Sequence, residues 1–167
     1  MKEYSDYIQA VKSYLRNYTK FKVTIANLQD SIHTWTKEIE TDVNAPISKY
    51  GDEPGGGTPE LNAVEAAASR HEKLHARIDS AKKSIERISC TLRNVDRALA
   101  NLSDEDREII EGHYFQRKSW KFLGTEHYYT EKWACGRARK AVQDMAFMIF
   151  GDKALPPNGQ GMFVFYE

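Results

Sequence analysis

The chain has 167 residues, of which 41% are hydrophobic and 29% charged, and its formal net charge is zero. This length fits one domain or two small ones, and the composition is typical of a soluble, helix-rich globular protein. No stretch approaches the roughly 18 apolar residues of a membrane-spanning helix, and the N-terminal stretch MKEYSDYIQA lacks the apolar core of a signal peptide. We therefore expect a cytoplasmic protein without a membrane partner, in which Cys90 and Cys135 are free thiols.

The first predicted element is a long amphipathic helix near the N-terminus. Apolar residues recur there at steps of three and four, and we call this set the first stripe: Tyr4, Ile8, Val11, Leu15, Tyr18, Phe21, Ile25, Leu28, Ile32, Trp35 and Ile39. This spacing places the side chains along one side of an α-helix. At a rise of 1.5 Å per residue, such a helix is about 60 Å long.

A second stripe of the same kind follows, and it is equally long. It consists of Val64, Ala67, His71, Leu74, Ile78, Ala81, Ile85, Ile88, Leu92, Val95, Leu99 and Leu102. Residues 42–60, which join the two stripes, contain three prolines and four glycines and are predicted to be a flexible loop. Two matching stripes joined by one loop predict an antiparallel, coiled-coil-like helical hairpin over residues 1–102. Self-association through the same stripes, which would produce a homo-oligomer, is the alternative arrangement.

The second predicted helix contains the zinc peptidase pattern H-E-x-x-H, formed by His71, Glu72 and His75. A catalytic zinc needs three protein ligands and one open position. The second stripe continues without a break from His71 to Leu102, so no turn returns a third ligand to the two histidines. We therefore expect His71 to be a partly buried stripe residue, and the protein to be no enzyme and to need no metal or other cofactor. A zinc metallopeptidase is the remote alternative.

Three shorter helices are predicted within residues 103–150. Ser103 followed by Asp106 is similar to a capping box at the start of the first helix. Ser119 begins the second helix, and Thr130 caps the third. The third helix has an apolar side at steps of three and four: Trp133, Ala134, Ala138, Ala141 and Met145. Two short helices joined by a tight turn are typical of a helix-turn-helix, which leaves residues 151–167 as a C-terminal tail.

The zero net charge hides a local excess of basic residues in this region. Residues 117–141 contain seven basic and two acidic residues, whereas residues 103–116 contain five acidic and one basic. Lysines and arginines grouped on one helix are the electrostatic pattern of a nucleic-acid surface. The predicted helix-turn-helix therefore carries a basic face on a neutral protein.

Three stretches of this region are distinctive: DREIIEGHYF, the pair SW that opens the second helix, and YYTEKWACGRARKAV. These stretches lie in the segment from Leu102 to Gly151, which resembles the C-terminal part of phage late-gene transcriptional regulators of the ArpU and RinA type. That part of the regulators is itself similar to region four of bacterial sigma factors. The resemblance implies a sequence-specific double-stranded DNA-binding transcription regulator, an activator of phage late genes that acts with RNA polymerase in the bacterial host. Gly124 and Tyr128 depart from the pattern, which usually has alanine and glycine at these two positions.

Position in the motif assigns the candidate DNA contacts. The residues expected to face the major groove are Thr130, Glu131, Lys132, Cys135, Gly136 and Arg139. The residues expected to contact phosphates are Arg117, Lys118, Ser119 and Lys140. Trp120 and Trp133 are expected to be core anchors. The alternative from another functional class is a coiled-coil assembly protein without DNA binding, in which the three short helices only pack.

Overall fold

The structure, a computed structural model, describes residues 4–43 and 59–155. Over these residues the chain is all-α and contains no strand, which confirms the predicted fold class. The helices are α1 (Tyr4–Val43), α2 (Pro59–Ala100), α3 (Asp104–Tyr114), α4 (Trp120–Glu126) and α5 (Glu131–Phe150), followed by a 3₁₀ helix (Gly151–Ala154). Most of the predicted loop at 42–60 and of the predicted tail at 151–167 lies outside the described residues. Among the described helices, none has the length and apolarity needed to cross a membrane.

The two predicted stripes are confirmed by the burial of their side chains. Every stripe residue whose side chain is described is buried or half-buried, and the residues between them are mostly exposed. Val23, an apolar residue outside the first stripe, is 53% exposed. Spacing by three and four therefore identified inner residues of α1 correctly, but it left out Tyr7 and Tyr14, which also pack against the core.

The chain divides into two compact units, and α1 and α2 each contribute to both. One unit, here called the bundle, is formed by the described parts of Met1–Lys22 and Ser89–Glu167. The other, here called the helix pair, is Val23–Ile88. We predicted a boundary at residue 102, and the observed division differs because the start of α1 and the end of α2 share a core with α3 and α5.

The core of the bundle is made of side chains from α1, α2, α3 and α5. Its members include Val11, Leu15, Val95, Leu99, Ile109, Ile110, Ala138, Val142 and Met145. Aromatic contacts and one hydrogen bond attach the start of α1: the Tyr18 hydroxyl donates to Asp96 Oδ1 at 2.6 Å, and its ring stacks on Phe115 at 4.7 Å. Tyr7 lies against Phe150 of α5 with 5.0 Å between ring centroids. The first turns of α1 are therefore an integral part of the bundle.

The helix pair contains the end of α1 and the larger part of α2. Its buried residues are Leu74, Ile78 and Ala81 on α2, while the described stripe residues of its α1 segment are half-buried. Asp42 at the end of α1 lies beside Arg70 and His71 near the start of α2. Two antiparallel helices would make this contact, and the hairpin over the whole of residues 1–102 stays a prediction.

The H-E-x-x-H segment lies on α2 within the helix pair. His71 Nε2 is buried, lies 3.4 Å from Asp42 Oδ2 and forms no hydrogen bond with the described residues. The unbroken second stripe predicts that no turn of its own returns a third ligand, and Asp42 approaches His71 from α1 instead. His75 is exposed. In the described part of the chain, no group of three or more His, Cys, Asp or Glu residues is arranged to hold a metal ion.

Candidate nucleic-acid interface

Side-chain caps determine where the helices of the candidate site begin. Ser103 Oγ accepts the backbone N–H of Asp106 at the start of α3. Ser119 Oγ accepts the N–H of Phe122 at 3.2 Å, and Thr130 Oγ1 accepts the N–H of Trp133 at 3.2 Å. These bonds satisfy N–H groups that have no partner within the helix. All three predicted helix starts are confirmed.

The geometry of the turn between α4 and α5 accounts for Gly124 and Tyr128. A Cβ atom at Gly124 would lie 2.7 Å from the backbone carbon of Thr130 and 2.9 Å from the backbone nitrogen of Glu131, so only glycine fits there. The Gly124 carbonyl oxygen accepts the N–H of Tyr129 at 2.7 Å. Tyr128 has a φ of +60° and is 97% exposed. The glycine lets α4 approach the start of α5, and Tyr128 supplies the left-handed residue of the turn.

The inner side of α5 consists mainly of small residues. Its buried members are Ala134, Ala138, Ala141, Val142, Met145 and Ala146. Four alanines among six buried positions let neighbouring helices pack close to the α5 backbone. The predicted inner side of α5 is thus confirmed and extended by Val142 and Ala146, and its outer side is determined by the same rotation.

The outer side of α5 carries all the residues assigned to the major groove. Thr130, Glu131, Lys132, Gly136 and Arg139 are exposed, and Cys135 is a half-buried free thiol. Five of these six residues, together with Trp120 of α4, line a groove of about 540 Å³, here called the α5 groove. The structure therefore brings most of the predicted groove-facing residues together on one surface.

Two of the seven basic residues in the 117–141 segment are engaged inside the protein. Lys118 Nζ donates to both carboxylate oxygens of Glu126 at 2.9 Å, and it lies 5.2 Å from the Phe122 ring centre. Arg137 Nε donates to Asp106 Oδ1 at 2.8 Å, and its Nη2 lies 3.1 Å from Glu105 Oε2. Because its charge is already compensated by Glu126, we remove Lys118 from the proposed phosphate contacts.

Other basic residues of the segment remain free for an external partner. Lys121, Lys132 and Arg139 are exposed, and none of them forms an ion pair with a described residue. Lys140 is also exposed, and its charge acts on Asp144. Burial raises the pKa of the Asp144 carboxyl, and the charge of Lys140 partly opposes this rise. The unpaired cations thus lie on α4, at Lys121, and on the outer side of α5, at Lys132 and Arg139.

Arg117 and Lys118 are neighbours in sequence but line different grooves. Arg117 has a φ of +59° and lines a groove with Arg16, Asn17, Lys20, His113 and Tyr114. Lys118 lines an acidic groove with Glu108, Glu111, Gln116, Glu126 and His127. Sequence analysis assigned both residues the same role. Arg16 and Lys20 carry no local sequence signal of a site, because they are exposed cations on a long amphipathic helix.

Trp120 and Trp133 both pack against the bundle core, which confirms the predicted anchoring role. Trp133 stacks on Tyr129 with ring centroids 3.9 Å apart. Trp120 stacks on His113 at 3.5 Å, and the His113 Nδ1 atom lies 3.0 Å from the Lys118 carbonyl oxygen. Trp120 also lines the α5 groove, and the sequence did not predict this second role.

The outer side of α5 combines groups of complementary hydrogen-bonding types. Lys132 and Arg139 are donors that suit guanine O6 and N7 or a phosphate, and Glu131 is an acceptor that suits a cytosine amino group. The exposed Gly136 leaves the helix backbone open to a closely approaching partner.

No family model, curated protein or solved structure matches the chain.

Proposed function

We propose that this protein is a non-enzymatic, sequence-specific double-stranded DNA-binding regulator of transcription in which α5 is the recognition helix. The observation that carries the proposal is the outer side of α5, where Lys132 and Arg139 are exposed and form no ion pair with a described residue. Unpaired cations on one exposed side of a helix suit double-stranded DNA for two reasons. Its phosphates are negatively charged, and its major groove admits an α-helix and presents hydrogen-bond acceptors on the base edges. The opposite side of the same helix is held in the bundle core.

The local arrangement supports the same role. A helix of seven residues, a turn and a capped second helix follow one another, as in proteins that place a second helix in the major groove. At Gly124, α4 lies so close to the backbone at the start of α5 that no side chain fits between them, and this close packing fixes the turn. Because base readout needs a rigid helix, a fixed α4–α5 angle favours recognition over nonspecific attraction.

Within this proposal, Lys132 and Arg139 read base edges, with Thr130, Glu131, Cys135 and Gly136 beside them. Arg117, Ser119 and Lys140 contact phosphates. The resemblance to late-gene regulators extends the proposal to activation of phage late genes together with RNA polymerase in the host cytoplasm. The Ser119 oxygen already accepts the Phe122 N–H, so its contribution to DNA would come from the hydroxyl proton.

The test starts with selection of bound duplexes from a random pool, followed by titration of variants on the selected and a scrambled duplex. We expect Lys132→Ala and Arg139→Ala each to lose about 1–3 kcal/mol of binding free energy on the selected duplex and to relax the preference at one base position. Lys153→Ala, which removes an exposed charge from the 3₁₀ helix, is the control and should bind as the parent does. Unchanged binding of both α5 variants to both duplexes would refute the proposal.

A second variant separates loss of binding from loss of folding. A Cβ atom at Gly136 would meet no atom within 4 Å, and glycine in a helix is less favourable than other residues by about 0.5–1 kcal/mol. Gly136→Glu should therefore fold as well as the parent. It would place a carboxylate against phosphates, and like-charge juxtaposition costs several kcal/mol, so we expect about tenfold weaker DNA binding or worse. A folded Gly136→Glu protein with parental affinity would contradict the placement of α5.

An assembly protein remains the second candidate, and one observation favours it. In the helix pair, the stripe residues of α1, including Ile25, Leu28, Ile32 and Trp35, are only half-buried. Burying them further against a second chain would produce the homo-oligomer that periodicity allows. Such a protein would show no salt-dependent binding to duplex DNA, whereas the regulator would. The mass in solution, measured at several concentrations, tests self-association independently of DNA binding.

A further inference from the structure

A second positively charged groove lies in the bundle, where α1 meets the end of α3. It is lined by Arg16, Asn17, Lys20, His113, Tyr114 and Arg117, and we call it the α1 groove. Its volume is about 360 Å³. Three of its six lining residues are cations and none is a carboxylate, whereas the α5 groove contains Glu131 together with its two cations. By residue type, the lining of the α1 groove therefore has more cations and fewer carboxylates than that of the α5 groove.

The two grooves are adjacent because a single aromatic pair separates them. Trp120 lines the α5 groove, His113 lines the α1 groove, and the two rings stack with centroids 3.5 Å apart. The thickness of one stacked pair is much smaller than the diameter of a duplex, whose major groove alone is about 12 Å wide. A duplex lying on the α5 groove is therefore wide enough to extend past this aromatic pair, beyond which His113 lines the α1 groove.

The α1 groove is built on packed parts of the bundle. Tyr18, two residues after Arg16, is bonded to Asp96 and stacked on Phe115. Tyr114 is half-buried against the core, where burial raises the pKa of its hydroxyl and the charge of Arg16 acts in the opposite direction. Arg117 holds a left-handed backbone conformation at +59° directly after α3. Arg16 and Arg117, from distant parts of the sequence, thus line the same groove.

We propose that the α1 groove binds a backbone phosphate of the same duplex that α5 reads, with Arg16 and Arg117 as its ligands. This inference rests on the proposed function. It makes the N-terminal helix part of the DNA contact, beside the helix-turn-helix. Arginine suits this role because its planar guanidinium donates two parallel hydrogen bonds to a phosphate. The contact carries no sequence information and sets the position of the protein on the duplex.

The first experiment is a salt titration of Arg16→Gln on the selected and the scrambled duplex. Each phosphate contact contributes about 0.9 to the slope of log K against log salt, so we expect the slope to fall by about that amount and both duplexes to lose affinity by the same factor. The matched control is Lys37→Gln, which removes one positive charge from an exposed position of the same helix, within the helix pair. It should leave the slope unchanged.

The second experiment locates the contact on the DNA. Single phosphates of the selected duplex are replaced one at a time by neutral methylphosphonates, and binding of parent and variant is compared. For the parent, we expect at least one position outside the bases read by α5 at which neutralisation weakens binding. For Arg16→Gln, neutralising the same phosphate should no longer weaken binding. The other phosphates at which neutralisation weakens binding, including those to which Lys132→Ala is sensitive, should have the same effect as in the parent.

The outcomes distinguish this inference from the proposed function. If Arg16→Gln keeps the parental slope and the parental methylphosphonate profile while Lys132→Ala loses affinity, α5 reads DNA and the α1 groove does not bind it. In that case the groove fits an acidic protein segment instead, and this inference is overturned. If neither variant changes binding to any duplex, the proposed function fails and the inference fails with it. Circular dichroism of each variant confirms that a lost contact is not a lost fold.

Discussion

The bundle and the helix pair are built from the same two long helices, yet they bury apolar side chains to different depths. In the bundle, Val11 and Met145 are 0% exposed, as are Ile109 and Ile110. Among the side chains of the helix pair that the structure describes, the most buried is the small Ala81, at 5%. The spacing of the stripes is the same in both units, so the difference comes from α3 and α5, which cover the sides of α1 and α2 that a single partner helix leaves open.

This difference also separates the two functional readings. The bundle carries the exposed, unpaired cations of α5 on a core that holds them in place, which suits recognition of a rigid partner. The helix pair carries half-buried stripe residues, which suits association with another helix. Measurements that compare the two units therefore also test whether the function is DNA recognition or assembly.

The largest expected effect compares one isoleucine from each unit. Ile110→Ala empties a fully buried site in the bundle and should lower the free energy of unfolding by about 2–5 kcal/mol. Ile32→Ala in the helix pair removes a half-buried side chain and should cost about half as much, since less apolar area returns to water. Urea denaturation of both variants at low protein concentration measures the difference. Equal losses would show that the stripe of the helix pair is covered by another chain in solution.

A smaller effect is expected for two glycines of the bundle that differ in their surroundings. Gly124→Ala brings a methyl group to within 3 Å of three backbone atoms, so α4 must move away from α5, and we expect a loss of about 1–3 kcal/mol. Gly136→Ala meets nothing and should stabilise the helix by about 0.5–1 kcal/mol. Thermal unfolding followed by circular dichroism compares the pair. A tolerated alanine at position 124 would contradict the close approach of α4 to α5.

The smallest effect concerns the strained turn. Tyr128 is 97% exposed and has a φ of +60°, a conformation that costs residues other than glycine about 1–2 kcal/mol. Tyr128→Gly removes this cost and loses almost no packing, but glycine also has greater freedom in the unfolded chain. We expect a net gain of up to about 1 kcal/mol in urea denaturation. A net loss would mean that the tyrosine ring makes a stabilising contact in solution.

Local chemistry made the helix boundaries and helix sides predictable. Ser103, Ser119 and Thr130 begin helices because each hydroxyl satisfies a nearby N–H, and this interaction spans only a few residues. The buried alanines of α5 followed from spacing alone, because the rotation per residue of a helix is constant. With the inner side known, the exposed outer side with Lys132 and Arg139 was known as well.

The assignment of charges was less predictable, because it depends on which surfaces meet after folding. Lys118 is compensated by Glu126, eight positions away on the next helix, and Arg137 by Asp106, 31 positions away. In the sequence Lys118 looked equivalent to its free neighbours, whereas Arg137 was not among the residues assigned to DNA by their position in the motif. A coulombic interaction depends on distance in space, and a count of charges in a segment contains no such distance.

By itself the sequence determined that the chain is helical, where the short helices begin and which side of each long helix is apolar, since these properties arise from interactions within one or two helical turns. The tertiary structure decided that the first turns of α1 belong to the bundle, that Arg16 and Arg117 line one groove, and that Asp42 approaches His71. It also explains the glycine at position 124, because the backbone of Thr130 occupies the space that a side chain there would need. Such contacts join residues far apart in the chain, and only the packing of whole helices brings them together.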